Sequence, residues 1–69
     1  MIEKILIKAY SLGFNVKNIF YAEKEEFKLG LYEDDFICDV MTLFNTQKKE
    51  RWRITSPEDL ENILNDLKQ

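Results

Sequence analysis

The sequence lacks most of the residues on which small proteins build catalytic or metal centres. It contains no histidine and a single cysteine, Cys38. These absences exclude a Cys/His zinc pattern, an intrachain disulfide and a histidine-activated thiol nucleophile. We therefore predict no catalytic residues, no metal and no cofactor, and we expect that the protein is not an enzyme. Cys38 itself is interpreted as a small buried apolar residue.

The sequence also lacks long apolar runs and linkers between segments. No stretch approaches the ~20 apolar residues of a membrane span, and Glu3, Lys4 and Lys8 interrupt the apolar N-terminal segment, so no signal peptide is expected. With one proline and two glycines, the 69 residues offer no linker. We therefore predict a single domain, 1–69, in the cytoplasm and away from membranes.

The first helix is predicted over residues 2–12, and Gly13 is expected to end it because a left-handed position suits glycine best. Ile7 and Tyr10 widen its apolar face beyond the core stripe. That stripe has helical spacing and consists of Ile2, Ile5, Leu6 and Ala9.

The second helix is predicted from its N-terminal signals. Ser56 is the expected N-cap, Pro57 the first helical residue, and Asp59 completes a Ser-x-x-acid box. Its apolar face consists of Leu60, Ile63, Leu64 and Leu67.

Between the helices the pattern predicts strands at 19–23, 26–32, 36–44 and 51–54, with 15–18 as a connection. Short connections favour antiparallel pairing. The expected fold is α+β, a two-layer sandwich in which an antiparallel meander of 3–4 strands carries an N-terminal and a C-terminal helix on one face.

The predicted strand 36–44 is apolar on both faces. Ile37, Met41 and Leu43 would then lie on the side of the sheet that the helices leave uncovered. Two interpretations stay open: curvature with neighbouring loops covers them, or they form a partner-binding or homodimer surface.

An acidic window occupies residues 23–39, with seven acids against two lysines. At its centre Glu33, Asp34 and Asp35 predict an exposed turn. They lack the central glycine of a Ca²⁺ loop. The functional alternative is a negative surface offered to a basic protein partner.

A basic run follows at Lys48, Lys49, Arg51 and Arg53. It could contact phosphates while Trp52 stacks on a base. Against this, strand alternation places Trp52 in the core, opposite the two arginines. The net charge of −3 also disfavours nucleic acid as the partner.

The very short chain, its acidic balance and its helix–meander–helix order resemble the small phage-encoded anti-CRISPR inhibitors. The resemblance rests on no specific residue pattern, and the basic run departs from a purely acidic mimic. It implies a stoichiometric inhibitor that binds a nuclease or its guide complex in the host cytoplasm.

The expected function is therefore a non-enzymatic protein-binding domain, with an inhibitor of a nucleic-acid-handling complex such as a CRISPR nuclease as its specific form. The alternative is a small nucleic-acid-binding or regulatory protein acting through Lys48 to Arg53. The candidate partner-binding residues lie on the acidic turn, on the uncovered apolar face of the predicted strand 36–44, and in the basic run. They are Glu33, Asp34, Asp35, Ile37, Met41, Lys48, Lys49 and Arg51.

Overall fold

The chain forms a five-stranded antiparallel sheet and three helices in the computed structural model, which describes residues 1–68. The helices are α1 (Ile2–Ser11), α2 (Asp35–Cys38) and α3 (Pro57–Leu67). The strands are β1 (Asn15–Asn18), β2 (Tyr21–Lys24), β3 (Phe27–Gly30), β4 (Met41–Asn45) and β5 (Glu50–Ile54). The strands pair in chain order as a meander. The predicted α+β class is confirmed, with five strands in place of 3–4.

Helix α1 ends where the sequence predicts. Gly13 has a φ of 95°, in the left-handed region. The Gly13 N–H donates to the carbonyl of Tyr10 at 3.1 Å, and the Phe14 N–H donates to that of Ala9 at 2.9 Å. This pair of bonds is the Schellman motif, and it satisfies two carbonyls that the end of a helix would otherwise leave free.

Helix α3 begins at the predicted cap. The Asp59 N–H donates to the Ser56 hydroxyl at 3.2 Å, and Pro57 is the first helical residue. The Asp59 carboxylate accepts the N–H of Thr55 at 3.1 Å, whereas a standard capping box would use the cap residue itself. The reciprocal hydrogen bond is therefore shifted by one residue.

The core lies between the sheet and helices α1 and α3. Strand register places Ala22, Leu29, Leu43 and Trp52 in one row across four strands. The first three are fully buried and Trp52 is half-buried against the same cluster. Helices α1 and α3 contribute five further buried apolar residues, which are Ile2, Ile5, Leu6, Ala9 and Leu60. Three more come from the strands and the α1–β1 connection, namely Phe14, Met41 and Ile54.

Residues 36–44 do not form the predicted strand. Residues 35–38 form the short helix α2, which ends at Asp39 with a left-handed φ of 57°. The strand begins only at Met41, and Met41 and Leu43 are fully buried in the core. The predicted exposed set is therefore wrong for these two residues, and only Ile37 is exposed, at 85%.

Two further predictions need correction. Residues 15–18 form the edge strand β1 and are not a simple connection. Cys38 is exposed at the end of α2, because the segment that was predicted to bury it is helical. Among the described helices, none has the length and apolar character needed to cross a membrane.

Candidate functional site

A groove of about 850 Å³ lies between α1, the turn that joins β1 to β2, and α2. We call it the α1 groove. Nine large apolar side chains are exposed in residues 1–68, and six of them line this groove. They are Ile7, Tyr10, Val16, Ile19, Phe20 and Phe36. The exposed apolar surface of the domain is therefore concentrated at one place.

The first wall of the groove is a second face of α1. Ile5 points into the core and is fully buried, whereas Ile7 is 62% exposed and Tyr10 is 74% exposed. Glu3, Ile7 and Tyr10 follow at i, i+4 and i+7, which aligns them along the helix. Helix α1 thus presents one apolar face to the sheet and another to the groove.

The opposite wall is the β1–β2 turn. The Phe20 N–H donates to the side-chain carbonyl of Asn18 at 2.8 Å, which fixes the turn. The Phe20 ring meets the Phe36 ring edge-to-face, with centroids 5.6 Å apart. Helix α2 supplies Phe36, so an element that the sequence did not predict completes the groove.

The Asp39 side chain, at the end of α2, contacts the first residues of α1 in space. Its carboxylate accepts the N–H of Ile2 at 3.1 Å and contacts the amino group of Met1. The amino-group contact, followed by the Ile2 hydrogen bond, lowers the pKa of Asp39. This contact caps α1 from outside the helix and holds α2 at the groove end.

The groove is weakly acidic. Its charged lining residues are Glu3 and Asp39, and no lysine or arginine among residues 1–68 lines it. Asp39 is engaged with the start of α1, while Glu3 has no ion-pair partner within residues 1–68. A partner would therefore meet an apolar surface with one available carboxylate.

The acidic turn and the basic run, which are distant in sequence, meet at Arg53. Its guanidinium lies 3.2 Å from the Asp34 carboxylate and 3.7 Å from that of Asp35. Asp35 is only 2% exposed, so the prediction of a fully exposed turn is wrong at this residue. Asp35 accepts hydrogen bonds from the Tyr32 N–H at 2.9 Å and the Thr42 hydroxyl at 2.6 Å. Its role is therefore structural.

Among the other basic residues of the run, Arg51 lies on the sheet face opposite α1 and α3, whereas Lys48 and Lys49 lie in the turn between β4 and β5. Lys28, Phe44 and Arg51 are register partners across three strands. The Arg51 guanidinium lies 4.6 Å from the centre of the Tyr32 ring, and that ring packs edge-to-face on Phe44. Lys28, Phe44 and Arg51 border a depression of about 390 Å³, which Lys49 and Glu50 also line.

The structure separates the predicted binding residues. Glu33, Lys48 and Lys49 are exposed, Met41 is core, and Ile37 is exposed outside the groove lining. The groove residues were not predicted as a site. Their signal was the widened apolar face of α1, where Ile7 and Tyr10 exceed what one core contact needs.

The described residues contain no group of three or more cysteine or acidic side chains placed to hold a metal ion. Comparison with models of known protein families, with curated proteins and with solved structures finds no match to this chain. The resemblance to anti-CRISPR inhibitors therefore stays a prediction.

Proposed function

We propose that this chain is a non-enzymatic protein-binding domain and that the α1 groove is its binding site. The observation that carries the proposal is the concentration of exposed apolar side chains in that groove. Monomeric soluble proteins rarely expose a contiguous apolar patch of this kind, and such patches mark interaction sites.

The composition of the groove favours a protein over a small polar molecule as its ligand. Sites for small molecules are also mostly apolar, but a small number of precisely placed polar groups fixes the ligand in them. Here the polar lining residues are Glu3, Asn18 and Asp39, and two of these are already engaged within the domain. Apolar contact must therefore supply most of the binding energy, as at the centre of a protein interface.

Photo-crosslinking tests the proposal. A benzophenone amino acid replaces Tyr10 in the groove or, as the control, Asn62 on the exposed side of α3. Cells that make the protein natively are then irradiated. We expect a defined protein adduct from position 10 and none from position 62.

A second substitution in the position-10 crosslinking variant tests whether the adduct forms in the α1 groove. Adding Ile19→Lys, in the opposite wall, should abolish the adduct because it places a charge in the apolar site. The fold should persist, since Ile19 is 71% exposed. No adduct from position 10, or an adduct that survives Ile19→Lys, would contradict the proposal.

A more specific form of this proposal concerns the partner. We propose that the partner belongs to a nucleic-acid-handling complex in the cytoplasm, such as a CRISPR nuclease. Its support is the small size and the net charge of −3. Arg53 neutralises part of the acidic turn, which weakens the case for a simple nucleic-acid mimic. A nuclease assay with increasing amounts of the protein tests this form. We expect stoichiometric loss of nuclease activity with the wild type and no loss with Ile19→Lys.

A second candidate function has its own observation. The row Lys28–Phe44–Arg51 combines cations with an aromatic ring on the sheet face opposite α1 and α3, as in surfaces that bind single-stranded nucleic acid. Fluorescence anisotropy with labelled single strands at low salt tests it. Under the leading proposal we expect no binding up to tens of micromolar. Tight binding that is lost in Lys28→Glu with Arg51→Glu would favour this candidate.

A further inference from the structure

The exposed stripe of α1 is complementary to itself. Glu3, Ile7 and Tyr10 span two helical turns, or about 10 Å along the axis. Ile7 lies at the middle, with an acceptor one turn before it and a phenol donor one turn after it. Two such stripes placed antiparallel would bring unlike ends together.

We infer that the α1 groove is occupied by α1 of a second copy of this chain. The inference rests on the proposed function of the groove and gives it a second copy of this chain as its occupant, in place of the nuclease of the more specific form. The two helices lie antiparallel about a two-fold axis at Ile7, which is the isologous arrangement of most dimers. Ile7 then packs on Ile7 of the second copy, and the Tyr10 hydroxyl donates to Glu3 of that copy. Such a hydrogen bond to a carboxylate is stronger than one between neutral groups.

The edge strand β1 explains why a helix is favoured over an added strand. Its four residues include Lys17, and its register with β2 is irregular between Val16 and Asn18. Short, charged and irregular edges are poor templates for strand addition. The groove beside this edge is instead walled along two turns by a helix, which suits a second helix.

The available area fits a weak dimer. Ile7, Tyr10, Ile19 and Phe36 are 62–74% exposed, and at the usual size of such side chains they offer on the order of 500 Å² per copy. Complete burial of these side chains in both copies would cover at most about 1,000 Å², near the lower limit for a specific interface. A dissociation constant in the micromolar range is expected.

Sedimentation equilibrium from about 1 to 200 μM tests the inference. The wild type should pass from monomer to dimer, and Ile7→Lys should raise the dissociation constant about 30-fold or more, as expected for a central interface residue. The control Asn62→Lys adds the same charge to an exposed position of α3 and should leave association unchanged. Circular dichroism checks that both variants are folded.

A cysteine trap tests the geometry without disturbing the fold. Cys38→Ser first removes the only native thiol. In that background Ile7→Cys should give a covalent dimer on mild oxidation, because the axis brings the two positions together. Asn62→Cys should stay monomeric under the same conditions.

A wild type that stays monomeric, with no Ile7→Cys dimer, would overturn the second copy as the occupant. A dimer that Ile7→Lys leaves unchanged would overturn it too. The photo-crosslink from position 10 distinguishes failure of this inference from failure of the proposed function. An adduct with a different protein would support the groove as a protein-binding site, whereas the absence of any adduct would contradict both the proposed function and the dimer.

Discussion

Ile5 and Ile7 lie two residues apart on the same helix, yet one is fully buried and the other is 62% exposed. Ile5 faces the sheet and α3, whereas Ile7 faces the α1 groove. The two residues have the same chemistry and the same helix propensity, so only their neighbours distinguish them. One face of α1 holds the domain together, and we assign the other to binding.

The same contrast holds for two adjacent acids. Asp35 is buried and accepts hydrogen bonds from Tyr32 and Thr42, while Asp34 is exposed and meets Arg53 at the surface. Within each pair, the residue that contacts the core or a buried donor should matter for stability. Its exposed neighbour should be dispensable for folding, and this difference can be measured.

The largest expected effect is on the pair in α1. Ile5→Ala should lower the free energy of unfolding by about 2–5 kcal/mol, because it leaves a cavity in the core. Ile7→Ala should change it by no more than about 0.5 kcal/mol. Urea denaturation of both variants measures the difference. Since small domains have total stabilities near the low end of about 5–15 kcal/mol, Ile5→Ala should be partly unfolded at 37 °C.

Equal losses of stability in the two variants would contradict the assignment of Ile5 to the core and of Ile7 to the binding face. A large loss for Ile7→Ala would mean that the groove is part of the folding core of the monomer or of an obligate dimer. Repeating the melt at several protein concentrations separates these cases, because only a dimer melts in a concentration-dependent way.

The acidic pair should show the next largest effect. Asp35→Ala leaves the Tyr32 N–H and the Thr42 hydroxyl without their acceptor, which should cost about 1–3 kcal/mol. Asp34→Ala removes an exposed ion pair with Arg53 and a hydrogen bond from the exposed Cys38 thiol, and it should cost less than about 1 kcal/mol. Thermal melts followed by circular dichroism compare them, and similar losses would show that the hydrogen bonds of Asp35 with Tyr32 and Thr42 do not stabilise the fold.

Much of this fold was predictable because its signals are local. The Schellman end of α1 and the cap of α3 depend on residues within one turn, at Gly13, Ser56 and Asp59. The alternation at 26–32 and 51–54 correctly marked β3 and β5.

The errors arose where distant contacts override the local pattern. Residues 36–44 favour strand by composition, but Asp35 reaches Thr42 and Asp39 reaches Ile2, and these contacts hold the first part as a helix. The groove was missed for the same reason, because Phe36 joins it only through that helix.

The cap of α3 should give a smaller effect. Ser56→Ala removes the acceptor for the Asp59 N–H and should cost about 1 kcal/mol. The matched change Ser11→Ala, at the exposed end of α1, should cost less, since the Ser11 hydroxyl donates only to the Lys8 carbonyl within its own helix. A urea titration of both serine variants tests the order, and a larger loss for Ser11→Ala would reverse it.

The smallest expected effect is on the way stability falls at acidic pH. The hydroxyl of Thr55, followed by its N–H, lowers the pKa of Asp59. A carboxylate whose folded-state pKa lies below its unfolded value adds stability above that unfolded value, about 3.9 for Asp, and loses it as pH falls through the folded pKa. Thr55→Val removes the hydroxyl and should reduce the fall in urea midpoint between pH 5 and pH 3. Asp59→Asn should reduce it further, because it also removes the charge at the Thr55 N–H. Asp39 keeps its own contribution in both variants, so part of the acid dependence should remain. If Asp59→Asn left the whole profile unchanged, the contact with Thr55 would contribute nothing to folding in solution.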